Sequence, residues 1–377
     1  RKLQNLGFRG PCLGERKASR PIARCTLSAA PPAPGRPNLA ARPRAPARPS
    51  VAGGQAMPPK DVAGSAGIGA DGEELQFLSE QLMTLSNLGR TIDGSGLAYR
   101  SASSVDRRIG VIRGIDNYIH LQHLDLSQNS IKDLTLLKGL KHILKLNLSN
   151  NCVATIKCWD SVEEGDAVFP VLTHLIMDSN SLTELRPLPF KSLKVVSFRG
   201  NDIKTCLEFT GHESIESLDL SGNQIKTVAG LANLPLLAKL DLSSNQIEDI
   251  NGLGELPALK EFSLAKNKLQ AMEGPWQELA SAPLVTLDLS GNLLEEAKPL
   301  EVLRRLAKLR HLGLAGNPFM LAGESAVVDV LVCHWRLSTI DGQPVTAELL
   351  ARAGQVNVAM LVEAREKAKA EEEAAAA

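Results

Sequence analysis

The sequence predicts an α/β solenoid, a coil of short turns that each give one strand to a parallel sheet and return by a helical or extended segment. Three observations predict it. Nine asparagines, Asn129, Asn151, Asn180, Asn201, Asn223, Asn245, Asn267, Asn292 and Asn317, stand 22, 29, 21, 22, 22, 22, 25 and 25 residues apart. Each sits in the spacing L-x-x-L-x-L-x-x-N-x-L, which recurs from Leu121 to Phe319. Each copy also carries a further apolar series at triplet spacing, too small to make a core alone, so neighbouring copies must stack.

The Leu-x-Leu pair of each copy, such as Leu218 and Leu220, puts two side chains on one face of a short strand, because strand side chains alternate. The series Ile225, Val228, Leu231 and Leu234 suits a 3₁₀ or short α-helical return. The Asn falls where the chain leaves the strand and backbone groups lose their ladder partners. An amide both donates and accepts, so it can satisfy its own turn and the next; Leu or Asp cannot do both. This period and wording are those of the leucine-rich repeat, here a right-handed open horseshoe with a parallel concave sheet.

Irregular intervals predict local departures. The 29-residue interval holds an insert around Trp159 and Phe169 that should loop out beside the second turn. The two 25-residue intervals, one with Trp276 and one spanning 295–309, have room for a helical turn. Both ends need covers. Upstream, Val105 to Ile109 with Ile112 and Ile115 reads as a degenerate first turn with Arg107 at the Asn position. Downstream, Asn317 and Pro318 lead to an apolar helix over Val327 to Val332, then Leu337, Ile340, Asp341, Gly342 and a short helix, the order of a C-terminal cap.

The 377 residues are neutral only on average. Residues 1–56 hold 11 Lys or Arg against one acid, Glu15, amid Pro and Ala; the remainder has 31 basic and 41 acidic residues, a net of −10. A Pro/Ala/Arg segment buries too little apolar surface to offset its ordering entropy, so disorder is expected there. Met57 followed by Pro58, Pro59 and Lys60 is a plausible start, which makes 1–56 upstream or mis-assigned sequence; a transit peptide and an electrostatic tether are the other readings. Residues 57–95 read as a linker with an amphipathic helix, because Leu75, Leu78, Leu82, Leu85 and Leu88 recur at helical spacing. The solenoid with its caps is expected over 97–345. Residues 346–377 read as a helical tail that loses its apolar face after Val362.

Composition excludes several function classes. No run approaches about 18 apolar residues, so no spanning helix is expected. There is no P-loop, dinucleotide fingerprint or nucleophile elbow, and the chain reads as non-catalytic, with no cofactor. Six Cys without a CxxC pair suit a reducing compartment, and Cys206, at the position of Val228 and Ile250, reads as core. His120 and His123 have a metal-like spacing without accompanying ligands, so no metal is expected.

If Leu124 and Leu126 point inward, then His123, Asp125 and Ser127 point out, and the same offsets give one strand surface on the order of 40 Å long over nine turns. Asp125, Asp219, Asp241 and Asp288 make a partial acidic stripe, read as solvated carboxylates. Ile176, Val195 and Arg199 are more informative, since apolar residues on a strand's water face are usually covered. The expected protein-binding residues are therefore His174, Ile176, Asp178, Val195, Ser197 and Arg199 on turns two to four, with Trp159 from the insert.

Gly96-Leu-Ala-Tyr99, then Val111, Ile115 and Tyr118-Ile-His-Leu121 ahead of the first full repeat, and Leu140-Lys-His-Ile-Leu144 ahead of the second, carry a resemblance. They resemble the radial-spoke leucine-rich repeat proteins of ciliary axonemes, the leucine-rich repeat-containing protein twenty-three family, over roughly 95–370. The cap and period are similar to a wider intracellular group that includes the phosphatase-1 regulatory leucine-rich subunit and the spliceosomal A-prime protein. The resemblance implies a non-catalytic scaffold subunit of the cytoplasm and cytoskeleton, in the axoneme of a cilium or flagellum, whose partners are radial-spoke proteins, not nucleic acid or membrane. The alternative is a regulatory subunit of a phosphatase-1-type complex; that family binds through acidic and aromatic residues, and the strand-face positions here hold no aromatic.

A chain beginning at Met57 is expected to melt like the full chain, because few contacts should cross from 1–56 to the repeats. Scanning calorimetry checks this; a fall of more than a few degrees contradicts it.

Overall fold

The computed structural model describes residues 74–91, 93–160, 168–272, 274–276 and 278–359. The basic segment 1–56 and the tail beyond 359 lie outside them.

Thirteen strands form one sheet in chain order. Nine of them, from His123–Asp125 to His311–Gly313, are three residues long, one per repeat. All pair in parallel and in constant register: His123 opposite Lys145, Lys145 opposite His174, His174 opposite Val195, Val195 opposite Ser217. The register follows from the pattern. In each strand the middle residue, Leu124, Leu146, Leu175, Val196, Leu218, Leu240, Phe262, Leu287 or Leu312, is buried, and its neighbours face out. A slip of one residue would turn every one of them into water. The solenoid predicted from the repeat is the architecture observed.

The Asn ladder is complete across all nine turns. In the central turn Asn223 Nδ2 donates to Leu220 O (2.9 Å) in its own turn and to Phe198 O (3.0 Å) in the preceding one, while its Oδ1 accepts from Ile203 N–H (3.0 Å). The same three-way link recurs from Asn129, with Ile109 N–H and Ser104 O, to Asn317, with Leu294 N–H and Leu289 O. The bridging runs to the preceding turn and not, as expected, to the following one. The chain bends just before each Asn through a left-handed residue, for instance Gln128, Asn150, Ser179, Gly200 and Gly222. Gly222 fits this site because its φ is 68° and an added Cβ would press on Gly200 N at 3.4 Å.

Both flanks of the long interval are anchored in the core. Trp159, Phe169 and Phe190 are fully buried and meet edge to face, ring centres 5.4 and 5.5 Å from Trp159. Residues 161–167 between them lie outside the described set. The two 25-residue intervals return through 3₁₀ segments, Glu278–Ser281 and Lys298–Arg305. Trp276 is buried beside the first of these.

The N-terminal end corrects the amphipathic helix expected over 71–90 within the 57–95 linker. Its described part is a strand Gln76–Phe77, a turn, and a strand Thr84–Arg90 that pairs antiparallel with Leu97–Ser103. The leucine spacing is helical, but Thr84, Ser86, Asn87 and Gly89 are poor helix formers. The open edge of the sheet offers backbone partners that only a strand can use. Leu97–Ser103 then pairs in parallel with His123–Asp125, so Arg107 does occupy the Asn position of a degenerate first turn. There Asn129 Oδ1 accepts from Arg107 N–H (3.1 Å).

At the other end Glu324–Cys333 is an α-helix with Ala326, Val328, Val330, Leu331 and Cys333 buried. Thr339–Ile340 continues the parallel sheet, and Asp341 and Gly342, both at positive φ, turn it back into Gln343–Pro344. Residues 347–359 are helical, with Leu349, Ala353 and Val356 against the core.

Asn223→Leu keeps the branched outline but removes one of the two amide donors to each of Phe198 O and Leu220 O and leaves the Ile203 N–H unpaired in a buried site, and is expected to cost about 2 kcal/mol or more. Thermal or urea unfolding checks this; a midpoint unchanged from wild type contradicts the account of the ladder.

Candidate protein-binding surface

The strand face is built from two outward positions per strand and one residue beyond, in three columns. The first column runs His123, Lys145, His174, Val195, Ser217, Lys239, Glu261, Thr286 and His311; the second runs Asp125, Asn147, Ile176, Ser197, Asp219, Asp241, Ser263, Asp288 and Gly313.

The acidic stripe corrects its reading as freely solvated carboxylates. Asp125 Oδ1 accepts from both the N–H (3.0 Å) and hydroxyl (2.7 Å) of Ser127, and Asp219 holds Ser221 in the same way. Asp241 and Asp288 accept from the N–H of Ser243 and Ser290, and Asn147 does the same work with Ser149. These side chains satisfy the backbone where it leaves the strand. Lys194 with Glu216 (2.8 Å) and Lys239 with Glu261 (3.2 Å) are exposed cross-strand pairs, each worth little.

Turns three and four differ. Ile176 stands where other strands place Asp, Asn, Ser or Gly, and Val195 where they place Lys, His, Ser, Glu or Thr. His174 pairs with Val195 and Ile176 with Ser197, so the two apolar residues lie diagonally on adjoining strands, both half-buried. Ser197 does not close the bend two residues on as an Asp does, because its hydroxyl donates to Asp178. Asp178 of the preceding turn takes over, accepting from Arg199 N–H (3.0 Å) and the Ser197 hydroxyl. That leaves the Arg199 side chain exposed at the edge of the apolar pair. Six of the expected residues, His174, Ile176, Asp178, Val195, Ser197 and Arg199, therefore share one patch.

Trp159 does not join them. It is fully buried among Phe169 and Phe190, because its ring fills the wide cross-section that the long interval creates. On the return side of the same turns Arg186 binds Asp160 (2.9 Å), Glu184 (2.9 Å) and Glu208 (2.8 Å), one carboxylate from each of turns two, three and four. This hub was not anticipated; its acids stand 9, 4 and 7 residues after Asn151, Asn180 and Asn201, so no fixed offset in the repeats signals it.

His120 stacks on His142 with ring centres 6.3 Å apart, while His123 faces Ser101 Oγ at 3.4 Å. Among the described residues no group of three or more His, Cys, Asp or Glu is placed to hold a metal ion. Burial pushes the Cys206 thiol up to about 12, so it is an inert core residue.

Two family profiles match. One, described as "Leucine Rich repeats (2 copies)", covers residues 213–255; the other, "Leucine Rich repeat", covers 119–134. This is a leucine-rich repeat protein. It is 31% identical over 128 residues to human "Leucine-rich repeat-containing protein 23"; the match spans 33% of this chain and 35% of that protein, about a third of the relative's length. Among solved structures, an internalin of Listeria monocytogenes matches with TM-score 0.30 and 18% identity over 65% of this chain and 87% of that one. The functional domain of InlJ from the same bacterium matches with TM-score 0.33 and 18% identity over 59% and 56%. The SNF/U2A′ complex of Drosophila melanogaster matches with TM-score 0.30 and 24% identity over 34% and 75%. Among the described residues no helix is long and apolar enough to cross a membrane.

Burial, followed by the Lys145 charge, lowers the pKa of His123 and His174 below the ordinary 6.5; burial likewise lowers His212 and His334. A histidine held low in the folded state binds fewer protons there than when unfolded, so its stabilisation is complete above about pH 6.5 and is lost as pH falls. The melting temperature is expected to drop between pH 7 and about pH 5, before most carboxylates titrate. His123→Gln with His174→Gln should flatten that slope; calorimetry across the range measures it.

Proposed function

We propose that the protein is a non-catalytic structural subunit of the axoneme of a cilium or flagellum, in or beside a radial spoke, and that its strand face at turns three and four docks a neighbouring protein. The observation that carries the docking surface is the apolar pair Ile176 and Val195 on a face otherwise made of polar and hydrogen-bonded side chains. An apolar centre with His174, Asp178, Ser197 and Arg199 around it has the make-up of an interface core inside a polar rim. Sheet residues of a rigid scaffold lose little entropy on binding. The Arg186 hub behind them ties turns two to four together, which favours a preorganised surface.

The assembly is supported by the residues that resemble the radial-spoke family and by the 31% identity to a protein of that name over a third of the chain. The strand face gives no support to the phosphatase-1-type reading, because none of the outward positions on its nine repeat strands is a Phe, Tyr or Trp.

Val195→Asp combined with Arg199→Glu changes only half-buried or exposed side chains. The double variant is expected to keep its melting temperature and to fall at least about tenfold in the fraction that sediments with isolated axonemes, the loss of one central hot spot. A folded variant that still sediments overturns the site; wild-type protein that never sediments overturns the axonemal reading.

A further inference from the structure

The C-terminal cap carries a surface of different chemistry from the strand face. Arg304 ends the Lys298–Arg305 segment, and its guanidinium donates through Nε to Cys333 O (2.8 Å) and through Nη2 to Val332 O (2.8 Å). Those carbonyls close the Glu324–Cys333 helix, so a cation there is held by the helix terminus. Next in the chain, His334 is buried with Nε2 against Leu306 O (3.3 Å), and its Nδ1 has no partner. The chain then turns outward. Trp335 is 65% exposed, and the Arg336 guanidinium lies 5.0 Å from the centre of its ring. Arg304, His334, Trp335 and Arg336 line a shallow cavity of about 140 Å³. Arg310 is anchored nearby on Ala307 O and Leu309 O, and Arg305 and Lys308 are exposed on the same return segment.

No ion pair among the described residues includes Arg304, Arg305, Lys308, Arg310 or Arg336. Of the acids on these elements, Glu324 is paired to Arg352 (2.6 Å), and Glu301 and Asp329 pair with none of the five. Among the described residues these five cations outnumber the nearby acids Glu301 and Asp329 and pair with neither, and an indole in water leaves a large apolar area uncovered. One ligand relieves both. A guanidinium takes a carboxylate in a two-pronged bond, and an aliphatic side chain between two carboxylates would cover the indole.

We propose that this face of the cap docks a short acidic peptide segment of a partner protein, carboxylates on Arg336, Arg305 and Lys308 and an aliphatic side chain on Trp335. A peptide is favoured over nucleic acid by charge. From residue 57 onward the chain is net −10, which repels a long polyanion running beyond the patch but not a segment confined to it. The surface is separate from the strand face and does not depend on the reading given to that face.

The test titrates the full chain with a labelled peptide of repeated Glu-Glu-Leu at low ionic strength, with repeated Lys-Lys-Leu and oligouridylate as controls. Trp335 emission supplies a readout in the unmutated protein, since Trp159 and Trp276 are buried and emit to the blue of it. Saturable binding of the acidic peptide is expected, with a blue shift, weakening by added salt, and no binding of the basic peptide. Affinity should fall at least about tenfold in Trp335→Ala/Arg336→Glu and, independently, in Arg305→Glu/Lys308→Glu, at unchanged melting temperature. No saturable binding, undiminished binding by both variants, or tighter binding of oligouridylate overturns the proposal. So does binding that emerges only after Glu371→Gln, Glu372→Gln and Glu373→Gln, which would assign the surface to the chain's own acidic tail.

Discussion

Each repeat must take its backbone out of a three-residue strand, through a bend and into a return segment, inside a core with no water to satisfy the groups exposed on the way. The asparagine amide answers that constraint, and the rest of the coil depends on it. Its two donors close carbonyls of two successive turns and its oxygen takes an N–H of the preceding one, so stacking is written into hydrogen bonds as well as apolar contacts. Because an unpaired buried group costs about 1 to 3 kcal/mol, each rung resists both unstacking and slippage. The parallel register and the outward order of the strand residues follow from those rungs.

That order divides the outward residues into two kinds. Asp125, Asp219, Asp241 and Asp288 read in the sequence as a solvated acidic stripe, yet each, like Asn147, closes the bend two residues on. Turn four lacks such a residue, and Ser197 in its place is covered from the preceding turn by Asp178. On the proposed function, the docking residues are those where repeats depart from their own consensus without a structural return. Ile176 and Val195 are such departures: neither closes a bend, and both leave apolar surface half open on a polar face.

The solenoid was legible because its signals are local and periodic. Nine asparagines at a narrow range of spacings specify both the element and the way elements stack, and Arg107 and the Asp341 turn could be placed by counting. What was not legible depended on contacts far apart in sequence. The leucines of 75–88 have helical spacing, and only the open edge of the sheet makes Thr84–Arg90 a strand. Trp159 sits in an insert and reads as an exposed anchor; the cavity it fills is made by Phe190, more than a repeat away. The cap surface was invisible for the same reason, since Arg304 and Trp335 meet only after the helix between them has folded back.

A repeat coil distributes stability turn by turn, each turn leaning on its neighbours, so local bracing decides where a surface is stiff. Turns two to four carry bracing beyond the ladder. The Trp159, Phe169 and Phe190 rings fill their interior, and Arg186 ties three carboxylates from three successive turns across their back. Exposed ion pairs contribute little singly, but a shared guanidinium that is one-fifth exposed fixes several side chains at once. The extra rigidity lies directly behind Ile176, Val195 and Arg199, where a binding surface gains from having its ordering entropy spent before the partner arrives. A wide aromatic core and a charged brace would be costly irregularities in a coil that needed only to stack; placed behind a departure on the strand face, they make one continuous device across the thickness of the same turns.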